Sequence, residues 1–128
     1  MQKNKRFIFY PEAHKKEHAI EVELPFLQRI YKDKDFKIVP IVMGNPVPED
    51  IMILSDALYD VVDHNTLVII SVDLSHYYPY DKAVALDTSG ISAIEKLDSD
   101  WLGQKINNRD TEIDAPVAVL AMIMFASR

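Results

Sequence analysis

There is no cysteine among the 128 residues, which excludes disulfides and thiolate metal sites formed within the chain. Glycine is scarce as well. Gly44, Gly90 and Gly103 stand alone, none opens a Gly-rich turn after a strand, and nucleotide-phosphate binding has little support. An excess of positive charge is also lacking. The chain holds 14 Lys and Arg against 20 Asp and Glu, a formal charge of -6, which argues against a nucleic-acid groove or an anionic membrane surface as partner. The only basic cluster is Lys3, Lys5 and Arg6, followed by Lys15 and Lys16; it reads as a solvated edge. No apolar run approaches the length of a membrane span. The strand-like FIFY at 7–10 is stopped by Pro11 and resembles no cleavable signal peptide, so a cytoplasmic location is the expectation.

What is present suits one domain with a real core. Hydrophobic residues make up 48% and charged residues 27%, both close to globular averages, and the expectation is a single unit over residues 1–128. Residues 6–10, 36–43 and 67–72 read as strands, the last as a continuous apolar run buried on both faces and parallel to the second. Pro40 marks an edge or a bulge in the second. Residues 16–31 have helical spacing, with Ala19, Val22, Phe26 and Ile30 on one face. Pro25 either opens a shorter helix or kinks a longer one; the continuing apolar spacing favours the kink. Lys32 to Asp35 form a turn. Helices are expected over 49–62, over 81–97 with an interruption at Thr88-Ser89-Gly90, and after Asp98 as N-cap. A last helix follows Pro116, with Asp114 as a candidate cap. Strand alternating with helix predicts an α/β layer with right-handed crossovers.

The chemistry-bearing stretch is 67–81, LVIISVDLSHYYPYD. A buried strand that ends in a polar, aromatic loop is where an α/β protein builds a site. His76 stands just past that strand, and Asp73, three residues earlier, is placed to orient its imidazole. The alternative is that Asp73 caps the next turn and His76 closes the loop. Ser71 and Ser75 lie in no GxSxG elbow. Tyr77, Tyr78 and Tyr80 either wall a pocket or pack over the sheet end. His14 and His18 are four apart, a ligand spacing only if both are helical, and the glutamate between them is Glu17, so this is not HExxH. His64 lies in a polar turn. Residues 115–126 (APVAVLAMIMFA) are apolar nearly all round and need cover on several sides, from the preceding chain or from association with a partner.

The pairing of EHAIEVELPFLQ at 17–28 with SVDLSHYYPYDKA at 71–83, with KIVPIVMG at 37–44 between them, resembles the Memo family, also called AmmeMemoRadiSam system protein B. That family is similar to LigB-like class III extradiol dioxygenases. The resemblance runs from about His14 to Phe125 and implies a three-layer α/β fold, a mostly parallel sheet flanked by helices, with a pocket at the sheet edge. By motif it implies a metal-ligand role for His18, an acid/base role for His76, and a pocket-lining role for Asp73. Glu17 belongs to the same turn as His18, with Ala19 where the family usually has serine. His14, Glu17, Ser75, Tyr77 and Tyr78 are the further pocket candidates, and one divalent metal (iron, copper or zinc) is the implied cofactor. The family's first pocket histidine and its late ligand segment have no match here, and Glu112-Ile113 stand where the family has Cys-Gly. The chain therefore resembles a central, incomplete piece of such a domain. The expected function is that of a Memo-like protein with a partial metal-type pocket, not a competent enzyme alone. The alternatives are a non-haem iron dioxygenase-like enzyme and a module that binds a small molecule or peptide.

Overall fold

Among the described residues there are five α-helices, and the extended segments between them form no strand ladder. The structure, a computed structural model, describes residues 5–32 and 34–128; the expectations for Lys3 and for Asp33 within the 32–35 turn lie outside them. The helices are α1 (Leu24–Ile30), α2 (Glu49–Val61), α3 (Tyr80–Glu95), α4 (Ser99–Asn107) and α5 (Pro116–Ala126), preceded by one 3-10 turn at Pro11–His14.

This corrects the expected fold. The LigB-like, dioxygenase-like three-layer α/β arrangement is absent from the described residues, because none of the strand candidates forms a strand ladder there. β-branched runs dictate an extended backbone locally, but a sheet exists only when another strand satisfies the backbone N–H and C=O groups. Residues 36–43 run extended with Val39 86% exposed.

The residues pack as two compact units, Met1–Asn45 and Pro46–Arg128. In the first, the kinked helix expected over 16–31 is replaced by turns through residue 23 and a short α1 with Pro25 in its first turn. Proline has no N–H to offer an interior turn and its ring clashes with the carbonyl four residues back; the first turn avoids both costs. Tyr31 packs on Phe36 with ring centroids 5.7 Å apart.

In the second unit the helices follow the sequence pattern closely. Asp98 caps α4, its Oδ1 accepting from the Trp101 N–H at 2.8 Å. Thr88-Ser89-Gly90 does not interrupt α3. The core gathers Ala93 from α3, Leu102 from α4, Ile113, and Val119 and Ile123 from α5. Ile70, Val72 and Leu74 pack against it from the extended segment, so that segment buries alternate side chains while Leu67 and Ile69 remain exposed. Only one of its faces is covered, not two. α5 lies along α2 and against α4, and every residue from Pro116 to Phe125 is buried or half-buried. Among the described residues, no helix is long and apolar enough to cross a membrane.

Candidate functional site

Two stretches some forty residues apart come together at the end of the extended segment. Asp73 donates its backbone N–H to Asp114 Oδ1 at 3.0 Å, and Asp114 returns its own N–H to the Asp73 carbonyl at 3.1 Å. This reciprocal clasp joins the His76 loop to residues 112–114. Asp114 therefore does not cap α5, whose N-cap is Ala115 without a side-chain bond. The loop is fixed a second time where Ser75 N–H donates to Asp87 Oδ1 of α3 at 3.0 Å.

Between the two stretches lies an open pocket of about 330 Å³ lined by Leu74, His76, Ile106, Glu112, Ile113 and Asp114. Leu74, Ile106 and Ile113 supply apolar walls; His76, Glu112 and Asp114 supply the hydrogen-bonding groups. His76 Nε2 stands 3.5 Å from Asp73 Oδ2, a distance at which the pair is held by charge when the imidazole is protonated rather than by a tight hydrogen bond. The Tyr78 hydroxyl donates to Glu112 Oε1 at 2.5 Å, and Lys82 Nζ sits 4.2 Å from the centre of the same ring. The hydrogen bond to Glu112, with some burial, raises the Tyr78 phenol above its ordinary 10.0, so Tyr78 is a neutral donor at physiological pH.

The other candidates fall as follows. Tyr77 is fully exposed, at a left-handed φ of 62°. The Ser75 hydroxyl is buried without a hydrogen-bond partner among the described residues, and Ser75 does not line the pocket. His14 ends the 3-10 turn and is half-buried. Glu17 and His18 belong to the Met1–Asn45 unit. There Glu17 Oε1 accepts from the N–H groups of His18 and Ala19, each at 2.8 Å, and the Ala19 bond first, then that of His18, lowers the Glu17 carboxyl from 4.5. His18 Nδ1 pairs with Glu21 Oε1 at 2.6 Å, and that bond and charge raise the imidazole above 6.5.

Because its folded value is raised, His18 favours the folded turn below about pH 6.5 and loses that contribution as pH rises through the higher folded value. Glu17 works in the opposite sense: its contribution is present above the ordinary carboxylate range and lost as pH falls through its lowered folded value. The turn is best held between those limits. An NMR titration of the His18 ring should therefore show a midpoint above 6.5 that returns towards it in Glu21→Gln; an unchanged midpoint in that variant would reject the pairing.

Among the described residues the donors do not converge as a metal centre would require. First-row metals are held where three or more ligands converge. Among the described residues no group of three or more His, Asp or Glu is placed to hold one; near His76, Asp73 faces the imidazole, one Glu112 oxygen accepts from Tyr78 and one Asp114 oxygen accepts from the Asp73 backbone. The expectation of metal binding is corrected on that ground. Glu112 and Asp114, which the sequence reading did not assign to the pocket, form its polar wall instead.

The family model described as Memo-like protein matches residues 1–128. A MEMO1 family protein of Saccharolobus islandicus is 36% identical over 121 residues, 91% of this chain and 42% of the relative. MEMO1 family proteins of Saccharolobus solfataricus and Sulfolobus acidocaldarius are each 34% identical, with the same coverage. The chain thus spans 42% of the length of these curated relatives. No solved structure matches it.

Proposed function

Because the chain belongs to the Memo-like family, we propose that its Pro46–Arg128 unit is a binding module that takes a small molecule at the His76 pocket. The observation that carries this is the Asp73–Asp114 clasp, which brings an imidazole and two carboxylates to one apolar-walled opening. Small-molecule sites combine a mostly apolar lining with a few convergent polar groups, in volumes from about 300 Å³ upward. A pocket of this size suits a small organic ligand better than a peptide. Its carboxylates accept hydrogen bonds, and His76 donates or accepts according to its tautomer. The ligand that fits has an apolar body and one or more N–H or O–H groups.

The test uses phenethylamine, phenylacetamide and phenylacetate as separate probes in a ¹H–¹⁵N NMR titration of the whole chain. A donor-bearing probe should shift the amides of Leu74, His76 and Glu112 to Asp114. His76→Ala should weaken that binding by about 2–10-fold, the worth of one hydrogen bond. Shifts confined to other regions, or an affinity indifferent to His76, would reject this pocket as the site.

A further inference from the structure

We propose that the ligand of the His76 pocket is a cation, a primary amine carried on an apolar organic body. This rests on the binding reading above and narrows it to one charge class. Among the described residues the lining includes Glu112 and Asp114 and no Lys or Arg. Asp73, 3.5 Å from His76 Nε2, adds a third carboxylate beside them. Three carboxylates stand against one imidazole, so negative charge predominates at the opening even when His76 is protonated. Both lining carboxylates keep capacity for a ligand. Each has about four lone-pair sites, and only one oxygen of each is engaged among the described residues: Glu112 Oε1 by the Tyr78 hydroxyl and Asp114 Oδ1 by the Asp73 N–H.

The cations of the surrounding elements do not cancel this charge. Lys82 of α3 rests 4.2 Å from the centre of the Tyr78 ring. Lys105 of α4 pairs with Asp110 at 3.5 Å. Arg109 is exposed and reaches the Tyr78 phenol only as a distant charge that opposes its upward shift. None of the three lines the pocket. An anionic ligand would therefore meet like charge. A neutral amide could donate to the same oxygens, but a hydrogen bond from a charged donor to a carboxylate is roughly twice as strong as a neutral one. A primary ammonium carries three donors and no acceptor, the complement of a wall that offers carboxylate oxygens and an imidazole nitrogen. Leu74, Ile106 and Ile113 cover an alkyl or arylalkyl body and have nothing to offer a bare metal ion or a hydroxyl-rich cation.

Phenethylamine, phenylacetamide and phenylacetate share a ring and differ in charge, so their affinities for the whole chain at neutral pH isolate this step. Followed through the amides of Leu74, His76 and residues 112–114, phenethylamine should bind about 5-fold tighter than phenylacetamide, the difference between a charged and a neutral hydrogen bond. Phenylacetate should bind most weakly. Glu112→Gln and Asp114→Asn each keep an acceptor oxygen, for the Tyr78 hydroxyl and for the Asp73 N–H, and remove the charge. Each should lower the ratio of amine to amide affinity by about 1.5–5-fold, the worth of one partly exposed ion pair, and added salt should narrow the ratio in the unmodified chain. Equal affinity for amine and amide, with shifts at these same residues, would overturn the cation and leave the pocket standing as a site for neutral donors. A ratio unmoved by both substitutions would also overturn it. Shifts confined to other regions for all three probes would reject the pocket and the cation together.

Discussion

Replacing Leu102 by alanine is expected to lower the unfolding free energy of the Pro46–Arg128 unit by about 2–5 kcal/mol, the range for large-to-small changes in a closed core. Leu102 is 0% exposed and belongs to the cluster that joins Ala93 of α3 with Val119 and Ile123 of α5. Two features oppose collapse around the vacancy. Ala93 has no side chain beyond Cβ with which to fill it, and α5 is tied down at its far end, where Arg128 pairs with Asp56 of α2 at 2.6 Å. A site that cannot close belongs at the upper part of the range. Trp101, the only tryptophan, lies next to the vacancy on α4 with Lys96 Nζ 4.2 Å from its ring centre, so its fluorescence reports the transition. Urea titration should show a lower midpoint with an unchanged slope, the mark of lost stability without a change in the denatured state. A loss below about 1 kcal/mol would mean that the cluster is not the core that holds the unit together. The substitution also reaches the pocket, because Ile106, one turn further along α4, forms part of its wall.

Helices in this chain were legible because a helix is a local object. The spacing of Ile51, Leu54 and Leu58, the cap at Asp98 and the proline at 116 each act within a few residues, and α2, α4 and α5 form where those signals stand. Pro25 was misread for the opposite reason: apolar spacing suggested continuity, while the missing N–H decided where α1 could begin. The strand readings failed at a longer range. Residues 67–72 are extended as their β-branched side chains require, but pairing depends on a partner that local pattern does not name. The site divides in the same way. Asp73 and His76 were visible where an apolar run turns polar. Asp114 was read as a helix cap from its position before Pro116, yet its carboxylate is taken by the backbone of Asp73, 41 residues away. Glu112 stood out only as a departure from the family's Cys-Gly, and its partner, Tyr78, is 34 residues distant.

Gly90→Ala should reverse its sign according to what occupies position 111, and this reversal ties the core to the pocket. In an exposed helix interior the change from glycine to alanine gains about 1 kcal/mol. At position 90 the added Cβ would lie 2.4 Å from Thr111 Oγ1, which no real contact sustains. Thr111 is 2% exposed, and its hydroxyl has no hydrogen-bond partner among the described residues, so the side chain has little free space in which to turn. The collision outweighs the helical gain, and the single variant should lose about 1–3 kcal/mol, as overpacked sites do. Thr111 immediately precedes Glu112, so the strain relaxes by pushing the polar wall away from His76, and probe binding should weaken together with stability. On a Thr111→Ala background the obstructing oxygen is gone, and the same Gly90→Ala change should become neutral or stabilising by up to about 1 kcal/mol. A double-mutant cycle read by urea unfolding and by the probe titration measures both effects. If Gly90→Ala matched or exceeded the original chain with Thr111 in place, the close approach of α3 to residues 111–114 would not be what positions the pocket wall, and the binding site would have to be supported from the Asp73–Asp114 clasp alone.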